Sequence, residues 1–479
     1  MRIRRKTGCL LALAAPFVFA IVLLLLLHAI GRAHSIWPPR LPDVRLEPSR
    51  PVLTEAQVTP DNAYFYIRQM PNPVSVAVGE DAARELPRFL ALRRAGEPYP
   101  ALEERMKQPG PHARIWERAA RLPDAQFATT VSVTLSQPWL NPVMMEIKFA
   151  RVRAWQAIEQ NRWDEAARIW SESLRVSDHL TRGGPLVNFM VNATCDRELC
   201  EDIRSALLES APAPGAAREL IQRLDDLDRK AEPFVEAVRC ERLFGKTGVP
   251  MAYEALCPLL SFSPDSETPM SRRILWSLVH RPMWWLLGST PDRTAAHLDD
   301  LYSHLIRAAD QSFGPTNELA AICRICEHKS SGGDLRARLD DPVGVRVVAI
   351  MFPAWDKAQI RCTECTAALR ATEVVLALRL HQAGHNGELP EQLDELVPAW
   401  LPAVPRDPFA RTDAPLRYRK DGTEWTVYSA GPNGKDDGGR NNWNRRWDTH
   451  LDQSDIVFSS TDPARVREEY LKEQRGRRP

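Results

Sequence analysis

The segment Cys9–Ile30 constrains this chain most, because its 22 residues are mostly apolar and contain no charge. A helix of about 20 apolar residues is long enough to cross the hydrocarbon core of a bilayer. Arg2, Arg4, Arg5 and Lys6 precede the segment, and basic residues beside a membrane helix favour the cytoplasmic side. The sequence therefore predicts a single-pass protein whose large C-terminal part lies outside the cytoplasm.

A cleaved signal peptide is the alternative for this segment, because a basic start followed by an apolar run serves both purposes. The apolar core of a signal peptide is usually about 7 to 15 residues long and ends in small residues at the cleavage site. Here the run is longer, and it offers only the weak site Ala29-Ile30-Gly31. An uncleaved anchor in the cytoplasmic membrane of a bacterium is the favoured interpretation.

The remainder of the chain predicts a mainly α fold with a small α+β end. Prolines recur between Gly31 and Pro60, and proline lacks the backbone donor that regular structure needs, so this part predicts a stiff spacer. Helical patterns follow up to about residue 380. The predicted divisions are a cytoplasmic basic end (1–8), a transmembrane helix (9–30), a spacer (31–60), a helical ectodomain (61–365), an α+β module (366–460) and a charged tail (461–479).

The charge balance bears on the class of partner. Charged residues make up 26% of the sequence, and the formal net charge is +1. Such a chain has no long-range field that would draw it to nucleic acid. The sequence contains neither a G-x-S-x-G elbow nor a glycine-rich dinucleotide loop. We therefore predict no nucleic-acid partner and favour binding over catalysis, with an enzyme of unknown class as an alternative.

Within the ectodomain, Ala150–Trp170 predicts two helices joined by a turn near Asn161. Small residues such as Ala154 and Ala166 recur at helical spacing on both sides of this turn. The segment resembles a single tetratricopeptide-type hairpin, but such hairpins act in arrays of three or more, and no second copy follows in register. An ordinary helix pair is the favoured interpretation.

Two CxxC pairs form the sharpest metal-like pattern, because two such pairs can supply four thiolates to a tetrahedral zinc. They are Cys323 with Cys326, and Cys362 with Cys365. Both pairs lie in helical patterns rather than in tight turns near glycine. Disulfides between facing helices, buried thiols and a zinc site all stay open as interpretations; disulfides are favoured for an extracytoplasmic domain, and zinc is the least favoured.

The sequence pattern from about Thr366 onward predicts the α+β module. A long helix comes first, and apolar and polar residues then alternate at 416–418 and 425–429. Asp421-Gly422 lies between these runs and tolerates the positive φ of a hairpin turn. Residues 455–458 can add a third strand. The sequence therefore predicts a three-stranded antiparallel sheet packed with a helix.

The loop between the second and third strands, Gly431–Gly439, predicts a cation site. It combines asparagine and aspartate side chains with several glycines. Calcium takes about six to eight oxygen ligands, and a glycine-rich backbone can bend to supply them. Calcium is therefore the cofactor that this loop favours.

The order of these elements resembles the C-terminal part of the major pseudopilin of type II secretion systems. That family has a long helix, a short helix, an Asp-Pro-aromatic corner, a β-hairpin and an acidic loop that binds calcium. Here the corner is Asp407-Pro408-Phe409, and the hairpin carries Tyr418 and Tyr428. The resemblance covers roughly residues 366–460. The ligand side chains that it implies are Asn433, Asp436, Asp437 and Asp455.

The chain departs from the pseudopilin pattern at several positions. No prepilin cleavage motif or early glutamate stands around Lys6–Leu13, Asn433 takes a position where the family tends to have aspartate, and residues 440–453 lengthen the loop. We therefore predict a membrane-anchored extracytoplasmic binding or scaffold protein of the bacterial envelope with a calcium-stabilised C-terminal module. The alternative is a component or accessory of a type II secretion-like assembly, with pilin-like or other envelope proteins as partners.

Overall fold

The structure, a computed structural model, describes Val22 and the ranges 39–70, 113–128, 137–255, 291–311, 313, 318–330, 354–410, 412–439 and 455–460. The predicted transmembrane segment 9–30 lies outside these residues apart from Val22, and so do the charged tail 461–479 and the loop insert 440–453. Among the helices of the described ranges, none combines the length and the apolar composition needed to cross a bilayer.

The described chain is mainly helical, as predicted, with a small sheet near its C-terminal end. Its helices are α1 (Ala63–Ile67), α2 (Ala113–Arg121), α3 (Leu140–Glu159), α4 (Trp163–His179), α5 (Leu186–Glu209), α6 (Pro214–Lys230), α7 (Phe234–Ala255), α8 (Pro291–Ala309), α9 (Glu318–Ser330) and α10 (Trp355–Gly384). Short 3-10 helices cover Glu55–Gln57 and Leu393–Leu396.

The helix pair predicted around Asn161 is confirmed by α3 and α4. Asn161 has a φ of 56°, which lets the chain reverse in a few residues between Glu159 and Trp163. Ala154 and Ala166 are both fully buried, so small side chains let the two helices approach closely. This contact belongs to the centre of the helical body.

The predicted three-stranded sheet is also confirmed. Its strands are β1 (Arg417–Asp421), β2 (Glu424–Ser429) and β3 (Ile456–Ser459), all antiparallel in the order β1-β2-β3. Tyr418 stands opposite Val427, and Val427 opposite Phe458. Gly422 has a φ of 61°, the conformation that a tight hairpin turn requires.

Helix α10 runs through the middle of the molecule. Every residue from Ala371 to Leu378 is buried, so this helix is surrounded rather than covered along one face, as expected where a helix is apolar on all sides. α5 and α6 pack closely on it, and α9, β2 and β3 also contact it. It ends at Gly384.

The predicted boundary between residues 365 and 366 falls inside α10. One continuous set of buried side chains, here called the main core, includes Trp170 of α4, Leu376 of α10, Val427 of β2 and Phe409 of the Asp-Pro-Phe corner. The helical body and the C-terminal module therefore share this core, because the helix that carries the sheet is also the central helix of the body.

The described part of the predicted spacer differs from the expectation of an extended segment held away from the body. Residues 39–50, here called the strap, lie on α7, α8 and the turn before α7. Leu46 is buried among apolar side chains of these helices, and Ser49 donates from its backbone N–H and its hydroxyl to Glu236, at 2.7 and 2.6 Å. Side chains of the body thus supply hydrogen-bond partners to the backbone of a segment that has little regular structure of its own.

We predict that Phe409→Ala lowers the stability of the whole described body, not only of the module. Its side chain is fully buried in the main core, and truncating a buried Phe costs about 3–5 kcal/mol. Thermal unfolding of the full chain, followed by far-UV circular dichroism and by tryptophan fluorescence, should give one coincident transition that moves to lower temperature.

The exposed Val187 on α5 supplies the control, since Val187→Ala should change the free energy of unfolding by less than about 0.5 kcal/mol. Two separate transitions in Phe409→Ala, with the helical one unmoved, would contradict a shared core.

Candidate functional site

The Asp-Pro-Phe corner is fixed by the buried carboxylate of Asp407. Oδ1 accepts from the Phe409 N–H at 3.0 Å and the Ser429 hydroxyl at 2.6 Å, and Oδ2 accepts from the Ala430 N–H at 2.8 Å. Arg417 also donates to Oδ2, at 3.0 Å. Four donors therefore hold this charge, and the corner is tied to the end of β2 where the acidic loop begins.

The acidic loop, residues 431–439, closes on the carboxylate of Asp455. This side chain accepts from the Asp437 N–H at 3.1 Å and the Gly439 N–H at 2.7 Å. Gly439 has a φ of 70° and packs on the ring of Tyr428, where an added Cβ would come within 3.3 Å of a ring carbon. Glycine is therefore required for the loop to reach Asp455.

All four side chains that the pseudopilin resemblance implies lie in or against this loop. Asn433 donates from Nδ2 to Asp437 Oδ2 at 2.9 Å. Asp436 accepts from the Gly438 N–H at 2.9 Å and pairs with Arg417 Nε at 3.0 Å. Arg417 thus joins the Asp407 corner to the acidic loop.

The electrostatics of the loop follow from the closeness of its carboxylates. Burial raises the pKa of Asp455, the N–H groups of Asp437 and Gly439 lower it, and the negative charges of Asp437 and Asp436 raise it. Burial together with the Asp436 carboxylate also raises the pKa of Tyr428. A cation would relieve this repulsion between like charges.

The donor chemistry of the loop suits a hard cation such as calcium, since three carboxylates and one amide lie in or against a bendable backbone. In the structure these groups bond to one another, to backbone N–H groups and to Arg417. Within the described ranges, no three His, Cys, Asp or Glu side chains are grouped as metal ligands. The guanidinium of Arg417 supplies part of the positive charge that a bound cation would bring to these carboxylates.

The two CxxC pairs lie on helices, Cys323 and Cys326 on α9 and Cys362 and Cys365 on α10. No disulfide joins any two of the described cysteines. The α9 pair lies in an apolar cluster formed with α7 and α8, while Cys365 belongs to the main core and Cys362 borders both. The two apolar regions thus adjoin at Cys362, and the disulfide, buried-thiol and zinc interpretations stay predictions; burial raises the pKa of Cys362 to about 12.

A second feature, which the sequence reasoning missed, is a cavity of about 400 Å³. We call it the interhelical cavity; it lies between α4, α5, α6, α10, the start of α7 and the end of α8. Its acidic lining residues are Asp178, Asp196, Asp228 and Glu232. No short motif connects them, because distant segments supply them.

One signal for this cavity was present in the sequence. Asp196 shares the i, i+3, i+4, i+7 face of α5 with Leu199, Cys200 and Ile203, so a charge stands on an apolar stripe. The structure buries all of this face, and Asp196 is only 4% exposed. Burial, together with the charge of Asp178, raises the pKa of Asp196 to about 7, while hydrogen bonds from Ser177 and Asn192 oppose the rise.

The groups around Asp196 are mostly uncharged. Asn192 donates to Asp196 Oδ2 at 3.0 Å, and Oδ1 has no hydrogen-bond partner among the described residues. From packed helices, Ser177 on α4 lowers the pKa of Asp196 through a hydrogen bond and Asp178 on α4 raises it through its charge, while Asp196 itself raises the pKa of Cys365 on α10. Asp196 is therefore a buried acid that no described basic side chain compensates.

Comparison with protein-family models, with curated proteins and with solved structures finds no match to this chain.

We predict that Asp196→Asn stabilises the protein at pH 8 and has little effect at pH 4. Because the pKa rises from 3.8 to about 7 on folding, the folded state keeps a proton that the unfolded state releases between these values. The wild-type free energy of unfolding thus falls by roughly 1.4 kcal/mol per pH unit over that window, and the variant should gain up to about 4 kcal/mol above pH 7.

Denaturant unfolding of both proteins at a series of pH values measures this difference directly. Asp413→Asn changes an exposed carboxylate, 83% accessible, and should follow the wild-type curve. Equal stabilities of wild type and Asp196→Asn across the pH series would show that Asp196 is not buried as an uncompensated acid.

Proposed function

We propose that this chain is a membrane-anchored, extracytoplasmic binding or scaffold protein of the bacterial envelope, and that its C-terminal module holds calcium. The observation that carries the proposal is the closure of the acidic loop on Asp455, with Asp436 and Asp437 near enough to raise the pKa of Asp455. The uncharged segment Cys9–Ile30 and the basic residues before it support the membrane anchor.

The proposed calcium site would use the side chains that already shape the loop. Asp455 comes just before β3 and fixes the backbone at Asp437 and Gly439, so it ties the third strand to the loop. Asp436 now pairs with Arg417, which also binds Asp407. A calcium ion at this place would supply positive charge to carboxylates that are held near one another by the chain, and it would fasten β3 to β2.

We expect calcium to raise the melting temperature of the full chain. A ligand that binds only the folded state stabilises it by about 2.7 kcal/mol at 100 times its Kd. Melts in calcium chloride and in a chelator, together with calorimetric titration, measure this effect. The variant Asp436→Asn, Asp437→Asn should lose it, because amides remove two negative charges and keep nearly the same shape.

Asp413→Asn, in the same module but outside the loop, should keep the full calcium response. Magnesium at the same concentration should stabilise less, since it demands a tighter octahedral arrangement of ligands. A melt that calcium leaves unchanged would remove the metal from the proposal, and the module would then be a scaffold element without a cofactor.

A component of a type II secretion-like assembly is a second candidate. The order of α10, the 3-10 helix Leu393–Leu396, the Asp407 corner, the hairpin and β3 supports it. Moreover, β1 is an edge strand, and no other described strand pairs with its outer side. Exposed edges are common sites for the addition of a strand from a partner.

We expect the full chain to co-purify with pilin-type subunits if this second candidate holds. Asp421 is exposed at the end of β1. Asp421→Lys should lower the amount of pilin-type subunit that co-purifies with the chain, through repulsion or a lost contact at this edge. Arg168→Glu reverses an exposed charge on α4, 56% accessible, and should leave recovery unchanged. Equal recovery with both variants would argue against docking at β1.

A further inference from the structure

The interhelical cavity has an acidic lining. Its charged lining residues are Asp178, Asp196, Asp228, Glu232 and Arg370. A carboxylate in such a lining that lacks a basic partner repels anions and attracts cations.

Arginines outside the lining neutralise part of this charge. Arg182 pairs with Asp178 at 2.8 Å, and Arg50 pairs with Glu232 at 2.9 Å. Arg370, in the lining itself, pairs with Asp228 at 2.9 Å. After these pairings Asp196 remains without a basic partner among the described residues, and its Oδ1 accepts no hydrogen bond from them.

The other walls of the cavity are aromatic and apolar. Phe189 and Phe234 meet edge to face with their ring centres 6.5 Å apart, and Phe313 also lines the space. Aromatic faces attract organic cations through their quadrupole while they exclude water. A volume of about 400 Å³ lies within the range of small-molecule sites.

We propose that the interhelical cavity binds a small organic ammonium ion, with Asp196 as the carboxylate that receives its charge and Phe189, Phe234 and Phe313 as the walls around its apolar part. This site is separate from the acidic loop and does not depend on calcium there. An ammonium group in the cavity can donate to the carboxylate of Asp196, which lines it and whose buried Oδ1 has no hydrogen-bond partner among the described residues; one ligand would then supply both a donor and a positive charge.

A metal ion fits the cavity less well than an organic cation. Within the described part of the chain, no three His, Cys, Asp or Glu side chains are arranged as metal ligands. Asp228 and Glu232 are engaged by arginines, and the nearby Cys362 and Cys365 thiols have raised pKa values because they are buried. A thiol must lose its proton to become a good metal ligand.

Calorimetric titration of the full chain with butylammonium chloride tests the proposal, with n-butanol as a neutral analogue of the same shape. Butylammonium should bind at least tenfold more tightly than n-butanol, because only the cation meets the carboxylate. Its affinity should rise by about tenfold between pH 6 and pH 8, as Asp196 ionises with a pKa of about 7 while the ammonium stays charged.

Asp196→Asn keeps the size of the side chain and should reduce the affinity for butylammonium at least tenfold and abolish its rise with pH. Asp226→Asn, on α6 but outside the cavity, should bind as the wild type does. Phe234→Leu gives a second variant. It should lower the affinity for butylammonium more than the affinity for n-butanol.

Equal affinities of the wild type for butylammonium and n-butanol would overturn the proposal without reference to any variant. Binding of calcium or zinc chloride that Asp196→Asn abolishes would also overturn it, since the cavity would then belong to a metal ion. A loss of calcium binding at the acidic loop alone leaves the butylammonium result standing, so the two sites are tested independently.

Discussion

Every residue from Ala371 to Leu378 is buried, and α10 therefore needs neighbours around its whole circumference. α5 and α6 supply much of this cover, and the sheet and the segment around Phe409 supply the rest. Each square ångström of apolar surface removed from water contributes about 25 cal/mol, so a helix buried in this way dominates the stability of its surroundings. The position of the acidic loop follows from it, since β2 and β3 rest on this helix.

Ionisable groups nevertheless lie close to this apolar centre. Glu373 on α10 is 4% exposed, and burial, together with the charges of Asp225 and Asp228, raises its pKa to about 8. Asp196 faces the same region from α5. Buried ionisable groups lower the free energy of unfolding, which is only about 5–15 kcal/mol for a typical protein. Positions that keep such destabilising groups are frequent sites of function.

Local chemistry was predictable from the sequence. Asp421-Gly422 indicated the hairpin turn and Asn161 the reversal between α3 and α4, because each of these depends on a few neighbouring residues. The composition of the acidic loop indicated a possible cation site for the same reason, and the structure brings Asp455 to it across the intervening chain.

Contacts between distant segments were not predictable in the same way. The start of α10 at Trp355, the strap on α7 and α8, and the cavity around Asp196 all depend on which helices meet, and no local spacing records that. The two CxxC pairs were correctly predicted to lie on helices. Which apolar region each cysteine enters depends on the packing of α9 against α10.

The strap has a mechanical consequence. It enters the body along α7 and α8 through Ser49 with Glu236 and Arg50 with Glu232, and Arg242 donates to the carbonyl of Leu46 at 3.3 Å. Tension applied to the chain before residue 39 would therefore meet these contacts before it reached a helix. The strap would pass such a pull to α7 and α8 through side chains as well as through the backbone.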